Sequence, residues 1–188
     1  WPKFALSALM RSPDGIAVTA IAPVSAAIEV DGVPVQLRIE TDYPFKNGYR
    51  VHVKADKPVA FALRLRIPGF AFDGMIDGRP AGDGMINRCW NGEETVSVSF
   101  RTEAKLRERP EGMFCLEDGP LLFSVAPSTE WTKVEYERDG VERKFPYCDY
   151  HIRPTSDWNY AFAGESFQRE EKEVGKIPFS PDDPAVTL

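Results

Sequence analysis

Residues 59–70, VAFALRLRIPGF, place Val59, Phe61, Leu63, Leu65 and Ile67 at every second position. In an extended chain successive side chains point to opposite faces, so these five share one side. The other side reads Ala60, Ala62, Arg64 and Arg66, and grows more charged toward its end. Moving the five apolar residues out of water is worth about 2 kcal/mol each before chain entropy is subtracted. Pro68 and Gly69 end the run, because Pro cannot donate to a ladder and Gly permits a sharp turn. A strand of this kind needs neighbours that cover its apolar side, and the remaining sequence reads as strands laid around it.

The neighbours are visible as shorter alternating runs. Ile16–Ile21 follows the Pro13-Asp14-Gly15 turn, and Asp31-Gly32 is a hairpin signal ahead of Val33, Val35, Leu37 and Ile39. Tyr49, Val51 and Val53 alternate again, and Asp56-Lys57-Pro58 predicts a turn into the central strand. Met75-Ile76 and Met85-Ile86 predict brief strands, and Asn91-Gly92 predicts a hairpin before Val96, Val98 and Phe100. Residues 101–112, RTEAKLRERPEG, are charged and read as a connection; Met113–Glu117 and Leu121–Val125 read as strands around Asp118-Gly119-Pro120. Val134-Glu135-Tyr136 predicts a weaker strand, and Trp158, Tyr160 and Phe162 predict a core-facing one. Residues 1–10 are short and apolar, fitting a helix end or a strand.

Turn signals about every ten residues, with no sustained helical period, mark an all-β fold: an antiparallel, jelly-roll-like β-sandwich with little helix. The expected organisation is a sandwich over residues 1–163 and an edge strand or linker tail over 164–188, where charges and Pro178, Pro181 and Pro184 dilute the apolar residues. At 188 residues the chain is long enough to bury about 70% of its unfolded surface. A net charge of -6 lacks the basic stripe of a nucleic-acid binder, and no apolar run reaches the length of a membrane span. Trp1, not Met, comes first, which reads as a piece of a longer chain.

Chemistry is sparse. Cys89, Cys115 and Cys148 are widely spaced and odd in number. Three reduced, mostly packed thiols is the preferred reading, ahead of one disulfide with a spare thiol. Cys148, Asp149 and His151 fall short of the four converging donors of structural zinc. His52 lies on the polar side of its strand and reads as a solvated imidazole; Glu117 and Asp118 read as turn residues before Gly119-Pro120. No nucleophile elbow or phosphate-cradling glycine loop is present. Trp131, Trp158 and Tyr160 are the candidates for stacking on a sugar ring, which requires them to be exposed. Arg64 and Arg66 are candidates for pairing with carboxylates across a domain interface.

Several strings, taken in order, carry a resemblance. They are Trp1-Pro2-Lys3-Phe4, Asp42-Tyr43-Pro44-Phe45, Leu65-Arg66-Ile67-Pro68-Gly69-Phe70, Arg88-Cys89-Trp90 with Gly92, Gly119-Pro120-Leu121-Leu122, and Ser156-Asp157-Trp158-Asn159-Tyr160-Ala161. Together they resemble the C-terminal β-sandwich region of the β-L-arabinofuranosidase glycoside hydrolases, family 127 and relatives. Phe70 stands where that family usually has Trp, Asp77-Gly78 where it has Asn-Gly, and Gly92-Glu93 where it has Gly-Asp. The resemblance implies a preceding catalytic (α/α)6 barrel, with a zinc-bound cysteine nucleophile and a glutamate acid/base, and no residue here matches those positions. It therefore implies a non-catalytic accessory domain with no cofactor of its own, zinc belonging to the missing barrel. The implied partners are that barrel in cis and a plant-type oligosaccharide, in a bacterial protein; the sequence leaves the compartment open, with a periplasmic or secreted setting favoured over a cytoplasmic one. A carbohydrate-binding module is the alternative, and neither nucleic acid nor membrane is an expected partner.

Overall fold

The computed structural model describes residues 2–180 and 182–188. Trp1, which opens the first string above, and Pro181 of the tail lie outside the described residues. A six-residue helix α1 (Pro2–Ser7) leads into eight strands that form one sheet. These are β1 (Leu9–Ser12), β2 (Gly15–Val18), β3 (Val24–Val30), β4 (Val33–Glu40), β5 (Gly48–Arg64), β6 (Phe72–Ile76), β7 (Arg79–Pro80) and β8 (Met85–Arg101).

The sheet is organised on β5 and β8, which pair antiparallel over almost their whole length. The first half of β5 lies between β4 and β8, and its second half between β2 and β8. The expected turn at Asp56-Lys57-Pro58 and the expected hairpin at Asn91-Gly92 do not reverse the chain. Ala55 faces Gly92 and Val59 faces Trp90, so residues 56–58 stand opposite Asn91 alone. Each turn signal is absorbed in one shared bulge, where Gly92 takes a φ of 70° and Pro58 needs no ladder donor. The surplus of two residues is even, so alternation resumes in phase beyond it.

That phase builds the core. Val51, Val53, Val59, Phe61 and Leu63 from β5 meet Trp90, Val96, Val98 and Phe100 from β8, all buried. Val35, Leu37 and Ile39 from β4 and Ile16 and Val18 from β2 join the same cluster, so opposite wings of the sheet share one interior. Trp90 stacks on Phe61 at 5.4 Å between ring centroids and donates its indole N–H to the Phe61 carbonyl at 3.0 Å. The β3–β4 hairpin turns at Asp31-Gly32, both at positive φ, as the dipeptide predicts. The all-β, sandwich-like class holds, but the sheet is mixed because β2 runs parallel to β5.

The second half is built differently. β9 (Ala104–Arg109), β10 (Met113–Asp118) and β11 (Leu121–Phe123) form a small antiparallel sheet. The expected connection over 101–112 thus contains a strand; Leu106 pairs with Leu116, and the Arg107 and Arg109 guanidiniums each reach Glu117 at 2.6 Å. β12 (Thr129–Val134) pairs with β15 (Asp149–Pro154), and between them β13 (Tyr136–Arg138) pairs with β14 (Val141–Arg143). In the tail, β16 (Glu170–Glu171) pairs with β17 (Val186–Thr187), and Ala185 and Val186 bury against Phe45 and Leu121. Trp158, Tyr160 and Phe162 lie in no strand and are exposed, against the expectation of a core-facing run. The strand ladder ends at Pro154, so their alternation has no sheet to face. All three cysteines are free thiols, but Cys148 alone is buried, which corrects the expectation that they are mostly packed.

Candidate functional site

The polar face of β3, β4, β5 and β8 gathers the densest set of chemical groups. Inward residues such as Leu37, Val53 and Val96 leave their chain neighbours facing out. The register then sets Ser25, Arg38, His52 and Thr95 in one row across four strands. The adjoining row is Ala27, Gln36, Lys54 and Glu93, and Glu40 lies opposite Arg50 on the other flank. Small residues on β3 leave a shallow groove of about 690 Å3 over these rows.

His52 is partnered on both ring nitrogens, correcting the solvated imidazole expected from its isolated position. Nε2 lies 2.8 Å from Glu40 Oε2 and Nδ1 lies 3.0 Å from Thr95 Oγ1. The hydrogen bond from His52 holds the Glu40 carboxyl below the usual carboxylate range, and the charges of Arg38, His52 and Arg50 add to the effect against a desolvation penalty. An ionised carboxylate only accepts, so Nε2 carries a proton and, in the neutral ring, Nδ1 accepts from the Thr95 hydroxyl. The arrangement orients the imidazole and balances charge across the face. Beside it Lys54 Nζ lies 2.7 Å from Glu93, an exposed pair in which each partner favours the other's charged form.

A second polar cluster joins the tail to the small sheet. Asp118 is 1% exposed and accepts from Arg169, which also donates to the Phe45 carbonyl at 2.7 Å and to Glu171 at 2.8 Å. Asp118 is therefore a buried ionic anchor, beyond its expected role as a turn residue. Its sequence signal was parity: it shares the inward side of β10 with Leu116.

The residues singled out in the sequence are dispersed. Trp131 sits on β12 with its ring edge-on to Tyr150 at 5.7 Å and its indole N–H on the Thr129 hydroxyl at 2.9 Å. Trp158 and Tyr160 are 67% and 63% exposed, and among the described residues no ring contact links either to Trp131. Arg64 and Arg66 are exposed; the Arg64 guanidinium touches Met85 Sδ at 3.5 Å, and no ion pair holds either arginine among the described residues. Also among the described residues, no group of three or more His, Cys, Asp or Glu is placed to hold a metal ion.

Most of the sheet built on β5 and β8 lies within a stretch that a family of known proteins matches. Residues 15–102 match the family described as beta-L-arabinofuranosidase, GH127 middle domain. The expectation of a C-terminal region is corrected by this match to a middle domain. Ordered motifs identify a segment's neighbours in sequence but not how much of a parent protein follows them. Of the solved structures similar to the chain, one is a GH127 beta-L-arabinofuranosidase, Ara127N-Se, from Geobacillus stearothermophilus T6, with a TM-score of 0.55, 18% identity and 79% of this chain covered. Another, described as a glycoside hydrolase, has a TM-score of 0.52, 19% identity and 86% coverage. These are likenesses of fold, and the chain spans 31% of the length of each. Among curated proteins none matches the chain.

Proposed function

We propose that this chain is a non-catalytic domain that flanks and stabilises the catalytic region of a glycoside hydrolase of the β-L-arabinofuranosidase type. The observation that carries the reading is the GH127 middle-domain match over the sheet built on β5 and β8. Arg64 and Arg66 support it: two exposed guanidiniums outside any described ion pair, with the exposed Met85 beside Arg64, form a surface suited to carboxylates on an adjoining domain. In this reading the partner is an (α/α)6 barrel in cis, zinc belongs to the barrel, and the substrate is a plant-type oligosaccharide met in a periplasmic or secreted setting. The test is the double reversal Arg64→Glu/Arg66→Glu in the polypeptide from the full reading frame. A lower melting temperature and reduced glycosidase activity are expected, with the melting of the 188-residue chain itself unaltered. Unchanged melting and activity in the full polypeptide would overturn the interface.

The exposure of Trp131, Trp158 and Tyr160 favours a second reading, a carbohydrate-binding module, since buried rings would have ended it. Glycan-array binding that disappears in Trp158→Ala is its expected signature. No binding by the unaltered chain would dismiss it.

A further inference from the structure

Residues 129–154 form a two-stranded ribbon with a mainly apolar face on which Trp131, Ile152 and Phe145 stand exposed and Tyr150 is half-buried. The register pairs Trp131 with Ile152 and Lys133 with Tyr150, so these four share one face of β12 and β15. Trp131 meets Tyr150 edge-on, and Lys133 Nζ lies 4.1 Å from the Phe145 ring centroid, which brings Phe145 to the same side. The other face pairs Glu130 with Arg153 and Thr132 with His151. One side is therefore mainly aromatic and aliphatic, with Lys133 set among the rings, and the other polar, the division expected of a ribbon that lies on something. Trp131 is 59%, Ile152 50% and Phe145 62% exposed. A lone two-stranded ribbon is marginal in water, and a contiguous exposed apolar patch marks an interaction site.

The charges on the ribbon narrow the partner. Six acidic residues (Glu130, Glu135, Glu137, Asp139, Glu142 and Asp149) and five basic ones (Lys133, Arg138, Arg143, Lys144 and Arg153) nearly cancel. Such a surface has no field to attract a nucleic acid or an anionic membrane. Its Trp and Tyr side chains, flanked by aliphatic and charged groups, are the anchors of a protein–protein interface. The similar solved structures are each more than twice as long as this chain, so their folds contain further protein to lie against. We infer that the Trp131–Ile152–Tyr150–Phe145 face of the ribbon docks on an apolar surface of another domain of the same polypeptide. This rests on the accessory-domain reading and assigns that role a second surface, separate from Arg64 and Arg66.

The test compares amide hydrogen exchange of residues 129–134 and 149–154 in the 188-residue chain and in the polypeptide from the full reading frame. Exchange at least about tenfold slower in the full polypeptide is expected, lost in Trp131→Asp/Ile152→Asp, which leaves the melting of the 188-residue chain unaltered. Equal exchange in both would overturn the inference. So would protection of the short chain that grows with its own concentration, which assigns the face to a second copy. Protection of the short chain by a neutral arabino-oligosaccharide would overturn it in favour of glycan. The Arg64/Arg66 reversal reads the accessory role independently. If that reversal destabilises the full polypeptide while the ribbon stays unprotected, the docking face alone is wrong; if neither responds, the accessory reading fails with it.

Discussion

Residues 9–101 and residues 104–188 both alternate apolar and polar side chains, yet they bury them to very different extents. In the first region two 17-residue strands fold their apolar sides toward β2 and β4, and Val51, Leu63, Trp90 and Val96 lose all contact with water. In the second, short strands make pairs and a triple, the buried apolar cluster is Leu121, Ala185 and Val186 packed on Phe45 of the first region, and Trp131, Tyr147 and Phe145 stay in solvent. Alternation creates an apolar face but does not provide a second layer to cover it. The first region supplies that layer from its own chain; the second is held by a buried ion pair at its base and leaves Trp131, Phe145 and Ile152 of its ribbon exposed.

The contrast can be broken most forcefully at Trp90. Trp90→Ala removes a fully buried ring, its stack on Phe61 and an indole hydrogen bond, and is expected to cost about 4 kcal/mol in denaturant unfolding. A loss below about 1 kcal/mol would show that the first region does not depend on its core. Arg169→Ala leaves Asp118 buried without its cation, at a cost of about 3 kcal/mol. The expected readout is rapid proteolysis of residues 170–188 while amides of β5 and β8 stay protected; loss of protection in both regions at once would make them a single cooperative unit. Gly15→Ala tests the edge of the first region. Gly15 has a φ of 151°, and a Cβ there would lie 2.2 Å from the Ala62 carbonyl oxygen. The parallel β2–β5 contact should open for about 2 kcal/mol, seen as faster exchange at Ile16 and Val18.

Smaller effects sharpen the comparison on the polar face. Glu40 in the folded chain has its pKa below the ordinary value, so it binds a proton less readily there than in the unfolded chain. Its contribution is present at neutral pH and is lost as pH falls through the carboxylate range. His52→Ala should move the Glu40 titration upward, followed by carboxyl NMR; an unmoved titration would remove His52 as the cause. Lys54→Met, which breaks an exposed pair with Glu93, should leave the melting temperature within error.

Much of the first region was legible because its information is local. The parity of Val59, Phe61 and Leu63, the runs in β4 and β8, and the Asp31-Gly32 turn can each be read from a few adjacent residues. Asp56-Lys57-Pro58 and Asn91-Gly92 were misread because a left-handed glycine serves a bulge as well as a hairpin, and pairing across the ladder decides between them. The candidate site was less legible. His52 meets Glu40 and Thr95 through register, and Asp118 meets Arg169 from 51 residues away. Trp158 and Tyr160 alternate as a strand would, but no partner strand is there to give that pattern a face.

The irregularity at residues 56–58 has a consequence for how such chains can change in length. Removing one amino acid from the three that face Asn91 would turn one end of the longest pairing inside out, sending Phe61 and Leu63 into water and Ala60 and Arg64 into oil. Removing two would merely straighten the kink. Insertions and deletions at this spot should therefore be tolerated in even numbers, a parity rule enforced by geometry alone.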